Sequence, residues 1–131
     1  MRRRAAAALI TPLVAMVSVA TAQAPDIQEG LASFYGKGFE GKETATGTTF
    51  RKNKLTAAHP TLPGGTVVKV TNLENSKSIQ VKITDRGPAK KVRREGVIID
   101  LSRGAAKQLA FTDDGRARVR VEVVKKKHGN G

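Results

Sequence analysis

The sequence predicts a small all-β domain, a closed barrel of about six short strands with one short helix. Three observations support this class. The segments that alternate apolar and polar residues are short, as strands are, and only one segment has helical spacing. The chain has 13 glycines, which separate these segments with turns. It has no cysteine, so disulfides cannot stabilise the domain, and closing the sheet protects its edges.

The first 22 residues have the pattern of a cleaved secretory signal. Three arginines stand near the start, an uncharged apolar run follows, and a small-residue cleavage site ends at Ala22. The alternative is a transmembrane anchor, but a Thr-Pro pair at 11–12 interrupts a run that is already short for a span of about 20 residues. We therefore expect an exported protein, periplasmic or secreted, with no transmembrane segment after cleavage.

The net charge of +13, from 24 Lys and Arg against 11 Asp and Glu, indicates an anionic partner. Removing 22 residues and their three arginines from 131 residues and a charge of +13 leaves 109 residues and a charge of +10. Nucleic acid is the usual partner of so basic a domain, but an exported protein rarely meets it. We expect cell-wall polymers, lipid headgroups or polysaccharides instead, and no nucleic acid. The basic tail at 125–131 is expected to be disordered, as a solvated end or as a contact to an anionic envelope surface.

The first half of the domain is predicted to be rich in loops. Residues 23–30 are expected to form a polar lead-in, and a strand over residues 31–35 ends at Gly36. Residues 36–54 contain four glycines with no clean period, which predicts a long structured loop. Loops of that length in a small domain are often functional. A short apolar segment at 55–58 follows this loop.

The second half of the domain is predicted to contain most of the sheet. Four segments have the composition of strands, and they cover residues 66–71, 78–84, 97–101 and 117–123. The first two of these are expected to form a hairpin, and the third to be buried on both faces. Ser102 is expected to cap a short helix over residues 103–110, which has an apolar stripe.

The residues available for chemistry point to carboxylates. The absence of Cys excludes a thiolate metal site and a Cys nucleophile. The sequence has no P-loop, no dinucleotide-binding fingerprint and no zinc-type His spacing. A serine triad is hard to build, because His59 is the only His before the tail and no Gly-x-Ser-x-Gly occurs.

Asp85 is the most suggestive carboxylate, because it closes an alternating strand and precedes Arg-Gly-Pro at 86–88. A carboxyl group at a strand end, in a rigid turn, is well placed to act as a general acid at the rim of a barrel. Arg86 beside it is suited to binding an anionic group. From spacing alone, the favoured alternative is that Asp85 pairs with Arg86 or caps the turn through backbone N–H groups.

Three other residues are candidates, each with a structural alternative. Asp100 ends an apolar run, so we expect it to be partly buried, hydrogen-bonded and engaged in orienting a neighbour. His59 is more often a structural histidine at such a junction than a substrate contact or proton relay. Four of the aromatic residues fall in a 17-residue window, and Tyr35 is the best candidate among them for an exposed platform under a sugar ring. Core packing is the alternative for these rings.

Six motifs in order give the sequence a family resemblance. They are Ala-Ser-Phe-Tyr-Gly at 32–36, Gly-Lys-Glu-Thr-Ala-Thr-Gly at 41–47, Leu-Thr-Ala-Ala-His-Pro-Thr-Leu-Pro-Gly-Gly-Thr at 55–66, Val-Lys-Val-Thr-Asn at 68–72, Thr-Asp-Arg-Gly-Pro at 84–88 and Ile-Ile-Asp-Leu-Ser at 98–102. The set resembles the RlpA (rare lipoprotein A) family over residues 31–124. The resemblance implies a six-stranded double-psi β-barrel that acts on bacterial peptidoglycan in cell wall organisation.

Active members of this family are endolytic lytic transglycosylases of the septal-ring type, and the resemblance implies the same reaction here. They cleave glycan strands stripped of stem peptides, between N-acetylmuramic acid and N-acetylglucosamine, and leave a 1,6-anhydro end. No metal or organic cofactor is implied, and we expect a monomer. Through the Asp-Arg-Gly-Pro motif Asp85 inherits the acid/base role. The candidates for substrate contact are His59, Arg86, Tyr35, Thr44 and Asp100.

The sequence departs from the family pattern at three points. Thr48 stands where active members carry a Glu that is implicated in catalysis, and Glu43 is the possible auxiliary carboxylate. Phe34 replaces Trp in the family's Ser-Trp-Tyr. There is no lipobox Cys and no C-terminal glycan-binding module, so we expect a protein that is not lipid-anchored. Two other functions stay open: an expansin-like module that binds glycan without cleaving it, and a basic scaffold that recruits envelope partners.

Overall fold

Six strands close into a barrel in the computed structural model, which describes residues 26–127. The strands are β1 (Ile27–Phe34), β2 (Thr56–Ala58), β3 (Val67–Asn72), β4 (Ser78–Asp85), β5 (Val97–Leu101) and β6 (Ala117–Lys125). The closed all-β barrel is therefore confirmed. The predicted signal at 1–22, the first residues of the lead-in and the tail after residue 127 lie outside the described residues.

The strand order around the barrel is β1-β5-β2-β4-β3-β6, and it closes from β6 back to β1. The β1/β5 and β2/β4 pairs are parallel, and the remaining pairs are antiparallel. The predicted hairpin is confirmed as β3 and β4, with Val68 opposite Val81 and Val70 opposite Ile79. Closure leaves no free strand edge in the barrel, as a small domain without disulfides requires.

The core fills the inside of the barrel with the apolar residues of the alternating strands. The large side chains that are fully buried include Val68, Val70, Val81, Ile83, Ile99, Leu101, Leu109, Phe111, Val119 and Val121. β5 is less buried than predicted, because Ile98 and Asp100 alternate with the buried residues and are only half-buried. This alternation brings Asp100 to the outer face of the barrel wall.

β1 begins at Ile27, four residues before the predicted start at Leu31. Residues 27–32 pair with β6 over six positions, from Ile27 opposite Glu122 to Ala32 opposite Ala117. Gln, Glu and Gly are poor strand formers, so the sequence predicted a polar lead-in at residues 23–30. Pairing to β6 overrides that low strand propensity from Ile27 onward. The last strand also extends further than predicted, because Lys125 pairs with Val67.

Residues 26–127 contain two short α-helices, α1 (Lys90–Arg93) and α2 (Arg103–Gln108), where one was predicted. The predicted cap of α2 is confirmed, since Ser102 Oγ accepts the Ala105 N–H at 3.2 Å. α1 buries none of its residues, so it has no apolar stripe from which the sequence could predict it. A 3-10 turn covers Lys37–Phe39. Between residues 26 and 127 no helix has the length and apolar character that a membrane crossing needs.

Candidate active site

Two carboxyl groups lie on either side of β2 near its end. Ala58 of β2 is opposite Asp85 in β4 and opposite Asp100 in β5. Neighbouring strands are about 4.8 Å apart, which places the two α-carbons about 10 Å from each other across β2. Sharing one register partner puts both side chains on the same face of the sheet. The barrel topology thus pairs two acidic residues that are 15 positions apart in the chain.

Two surface cavities have Asp85 and Arg86 in common, and we call the pair the cleft and each cavity an arm of it. The lysine arm has a volume of about 700 Å³, and its lining includes Thr46, Thr48, Gly64, Gly65, Lys82 and Lys127. The aromatic arm has a volume of about 400 Å³, and its lining includes Ser33, Phe34, Tyr35, Phe39, Asp100 and Arg116. Asp85 and Arg86 line both arms, so an extended ligand in the cleft would pass on both sides of Asp85.

Three hydrogen-bond donors hold the Asp85 carboxyl group. The Tyr35 hydroxyl donates to Oδ2 at 3.2 Å, and the N–H groups of Ala45 and Arg86 donate to Oδ1 at 3.1 and 2.9 Å. The expected turn cap is therefore present, through the Arg86 N–H. No ion pair with the Arg86 guanidinium is found among the described residues. Asp85 is fixed in orientation while it stays accessible from the cleft.

Tyr35 is not the exposed platform that the sequence suggested, because only 7% of its surface is exposed. Its ring stacks on Phe50, with centroids 4.6 Å apart and planes 17° apart, and meets the edge of Phe39 at 5.1 Å. Burial, and then the negative charge of Asp85, raise the pKa of the Tyr35 phenol well above its usual value. The hydroxyl therefore keeps its proton and acts as a donor to Asp85. The exposed aromatic residue of the cleft is Phe39, at 47%.

His59, a predicted substrate contact, is placed away from the cleft by the structure. It is 1% exposed and lines neither arm. Its Nδ1 accepts the N–H groups of Thr61 and Leu62 at 3.1 and 3.0 Å, so Nε2 carries the proton and donates to Gln28 Oε1 at 2.9 Å. Burial, together with the positive charge of Arg86, lowers the pKa of His59 to about 4. His59 is therefore neutral at pH 7, as the structural alternative expects.

Arg86 links the turn at residues 59–62 to the cleft. Its Nη1 donates to the carbonyl oxygens of His59 and Leu62 at 3.1 and 2.7 Å. The side chain is still exposed and lines both arms. The Arg86 guanidinium is thus available to a ligand in the cleft, while its hydrogen bonds to the turn at residues 59–62 fix its position.

Asp100 is partly buried and hydrogen-bonded, as the sequence predicted. The Ser33 hydroxyl donates to its Oδ1 at 3.2 Å. Burial raises the pKa of Asp100 from 3.8 to about 6, against the Ser33 hydrogen bond and with a further contribution from the charge of Asp85. Asp100 therefore keeps a proton at mildly acidic pH and offers it to the aromatic arm.

The threonines at 44, 46 and 48 form a triangle of hydroxyl groups, with Oγ1–Oγ1 distances of 3.1, 2.8 and 3.0 Å. Thr44, the predicted contact, is buried and lines neither arm. Thr46 and Thr48, which were not among the predicted substrate contacts, face the lysine arm. Alternation along a strand could not have predicted this, because residues 44–47 form a turn closed by the Gly47 N–H to the Thr44 carbonyl at 2.9 Å.

Glu43 does not join the site. It is exposed, its backbone bridges to Thr49, and it lines neither arm of the cleft. The loop that carries it turns at Gly47 and brings Thr48 to the cleft instead. Among residues 26–127 no group of three or more His, Asp and Glu side chains is arranged to hold a metal ion.

The closed six-stranded barrel is a double-psi β-barrel. Residues 27–121 match the family model described as lytic transglycolase. The chain is 51% identical over 96 residues to the endolytic peptidoglycan transglycosylase RlpA of Campylobacter jejuni, an alignment that covers 73% of this chain and 34% of that one. It is 47% identical over 97 residues to the protein of the same name from Pasteurella multocida, covering 74% and 32%. This chain belongs to the RlpA family, and it spans about a third of the length of these relatives.

Two solved structures share the fold. The Streptomyces papain inhibitor matches with a TM-score of 0.60 and 25% identity, over 76% of this chain and 94% of that one. The apo form of the Clavibacter michiganensis expansin matches with a TM-score of 0.59 and 19% identity, over 79% and 52%. At that identity the expansin supports the fold alone.

Proposed function

We propose that this domain is an endolytic peptidoglycan lytic transglycosylase. It cleaves glycan strands that lack stem peptides, between N-acetylmuramic acid and N-acetylglucosamine, and forms 1,6-anhydro ends. The observation that carries the proposal is the placement of Asp85 and Asp100 in one cleft whose two arms meet at Asp85. The names of the family relatives support the same reaction.

The reaction needs one proton delivered and one removed, and no water. A carboxyl group protonates the glycosidic oxygen as the bond from C1 to that oxygen breaks. The C6 hydroxyl of the muramic acid residue attacks C1, and the carboxylate left behind accepts the proton of that hydroxyl. Asp85 fills both roles in turn, because it lies where the arms meet and its orientation is fixed by three donors. Two-carboxylate hydrolases differ, since they activate a water or form a covalent intermediate.

The other cleft residues position the polymer. Asp100, whose pKa is raised to about 6, donates a hydrogen bond to a sugar oxygen in the aromatic arm at mildly acidic pH. Phe39 presents a ring face or edge to the apolar side of a sugar. The hydroxyls of Thr46 and Thr48 offer donors and acceptors to the sugar on the other side of Asp85.

We also propose that the protein is exported, with residues 1–22 as a cleaved signal. Basic residues of the tail other than Lys127 then contact the anionic envelope surface. The charge of +13 and the signal pattern support both statements.

The direct test is product analysis. The purified protein is incubated with glycan strands stripped by an amidase, and the fragments are separated and weighed by mass spectrometry. We expect fragments with anhydro ends, each lighter by one water than the hydrolytic product. The absence of fragments would overturn the enzyme proposal.

The second candidate function is a module that binds glycan without cleaving it. Thr48 favours it, because this residue stands where active family members carry a Glu, and it lines the lysine arm beside Asp85. This candidate predicts sedimentation with cell-wall sacculi, weakened by salt because the domain is basic, and no product in the assay above.

Removing the Tyr35 hydroxyl should slow the reaction without weakening binding. Tyr35→Phe deletes the donor to Asp85 Oδ2 and keeps the stack on Phe50. A hydrogen bond to a charged group contributes about 1.5–3 kcal/mol, so we expect kcat to fall about tenfold or more with KM nearly unchanged. Steady-state rates on stripped glycan, with the melting temperature as a folding control, measure this effect. An unchanged kcat would show that Tyr35 only packs.

A further inference from the structure

We propose that the lysine arm binds the free lactyl carboxylate of a muramic acid residue, and that this contact selects glycan without stem peptides. The inference rests on the proposed substrate class. A stem peptide is joined to the lactyl group through an amide bond, so its removal exposes one carboxylate on each muramic acid residue. A site that attracts this carboxylate therefore distinguishes stripped strands from peptide-bearing strands by charge.

The charge of the arm is strongly positive. Lys82, Arg86 and Lys127 line it, and Asp85 is the only acidic side chain among its described lining residues. The ion pairs among the described side chains are Arg51–Glu40, Arg116–Glu95 and Arg120–Glu29, so neither lysine is neutralised within residues 26–127. Lysine suits this role because its ammonium group carries three donors on a flexible stem and binds carboxylates as a point charge.

Lys127 is held against the arm by a close approach at Gly65. Gly65 has a φ of +91°, and a Cβ placed there would lie 2.6 Å from Cδ of Lys127. The Lys127 N–H also donates to Thr66 Oγ1 at 3.4 Å. The stem of the lysine thus lies across a glycine that leaves room for it, and the residue lines the arm.

The aromatic arm has the opposite preference. Asp100 lines it, and its one distal arginine, Arg116, is already paired with Glu95 at 2.6 Å. A carboxylate in this arm would meet both Asp85 and Asp100, with Arg86 as the only unpaired cation among the described lining residues, whereas the lysine arm sets Arg86 and two lysines against Asp85 alone. The cleft therefore orients the strand, with the carboxylate of the muramic acid residue beside Asp85 directed into the lysine arm.

Binding by a catalytically disabled protein tests the inference apart from turnover. In an Asp85→Asn background, affinities are measured for two probes: stripped glycan strands, and the same strands whose carboxylates have been converted to methylamides with a carbodiimide. We expect binding at least about tenfold tighter to the carboxylate form, because charge-assisted hydrogen bonds are among the stronger polar contacts. Lys82→Gln with Lys127→Gln should bring this ratio close to one.

The matched control is Lys77→Gln with Lys107→Gln, which removes the same charge from two exposed lysines outside the cleft. This control variant should keep the preference for carboxylate strands over methylamide strands. Equal loss in the control, or a ratio that survives in the Lys82 and Lys127 variant, would overturn the inference. These outcomes are separate from the product assay: a protein that prefers carboxylate strands but yields no anhydro fragments would refute the transglycosylase and leave the carboxylate site standing.

Discussion

Asp85→Asn is expected to lower the rate of anhydro-product release by about 10²–10⁴-fold, the range that a positioned acid/base group contributes. Asn cannot deliver a proton to the glycosidic oxygen or accept one from the C6 hydroxyl. The expected loss is in kcat rather than in binding, because the substitution keeps the size and shape of the side chain. Initial rates on stripped glycan, followed by mass spectrometry of the products, give the measurement.

The structure explains why this substitution should leave the cleft intact. The amide oxygen of Asn can accept the N–H groups of Ala45 and Arg86, as Oδ1 of Asp85 does. The amide NH₂ then faces the Tyr35 hydroxyl, which can turn its proton away and accept a hydrogen bond instead of donating one. No buried polar group loses its partner, so the free energy of unfolding should change little.

Asp113→Asn is the matched control, since it makes the same chemical change at an exposed turn residue outside both arms. It should leave the rate within about twofold of the unmodified protein, as surface changes usually do. Retention of more than about a tenth of the rate by Asp85→Asn would show that another group carries the proton. Asp100 would then be the next residue to replace.

The parts of the fold that follow from local sequence were predictable. Alternation identified β3, β4 and β6, and the Ser102 cap identified α2, because these features depend on neighbours within a few residues. The start of β1 at Ile27 was missed, since it depends on pairing to β6 some 90 residues later. The parallel pairing of β2 with β4, which places Asp85 beside Ala58, is equally non-local.

The roles of the site residues divide in the same way. Strand position made Asp85 and Asp100 candidates, and the structure brings both to one cleft. Exposure was not predictable: Tyr35 and His59 are buried because Phe50 and the turn at 61–62 pack or hydrogen-bond against them. The length of the loop at 36–54 predicted a functional loop, but which of its side chains reach the cleft depends on a turn at Gly47 that the sequence analysis could not place.

Asp100 and His59 should affect stability in opposite directions over the same range of pH. Burial raises the pKa of Asp100 from 3.8 to about 6, so below pH 4 the residue is protonated in both the folded and unfolded chain. As the pH rises from about 4 to 6, the unfolded chain ionises Asp100 freely while burial opposes its ionisation in the folded protein. The pKa shift corresponds to a loss of about 3 kcal/mol in the free energy of unfolding, which is complete above pH 6. Burial lowers the pKa of His59 from 6.5 to about 4, so its contribution is complete above pH 6.5. The stability that neutral His59 contributes is lost as the pH falls from 6.5 towards 4, and this loss is also about 3 kcal/mol.

Asp100→Asn should therefore be stabilising above pH 6, by up to about 3 kcal/mol, and neutral below pH 4. Asn keeps an acceptor for the Ser33 hydroxyl, so the hydrogen bond at that position survives. Urea unfolding at one-unit steps from pH 4 to 8 measures the difference between the variant and the unmodified protein, with Asp114→Asn as the exposed control.

With the Asp100 contribution gone, the loss that His59 causes in acid is no longer offset, and the variant should lose stability more steeply below pH 6.5. Parallel curves for the two proteins would show that Asp100 ionises as an ordinary surface carboxylate. A stabilising substitution that also slows the reaction would instead identify Asp100 as a residue kept in the cleft for function at the expense of stability.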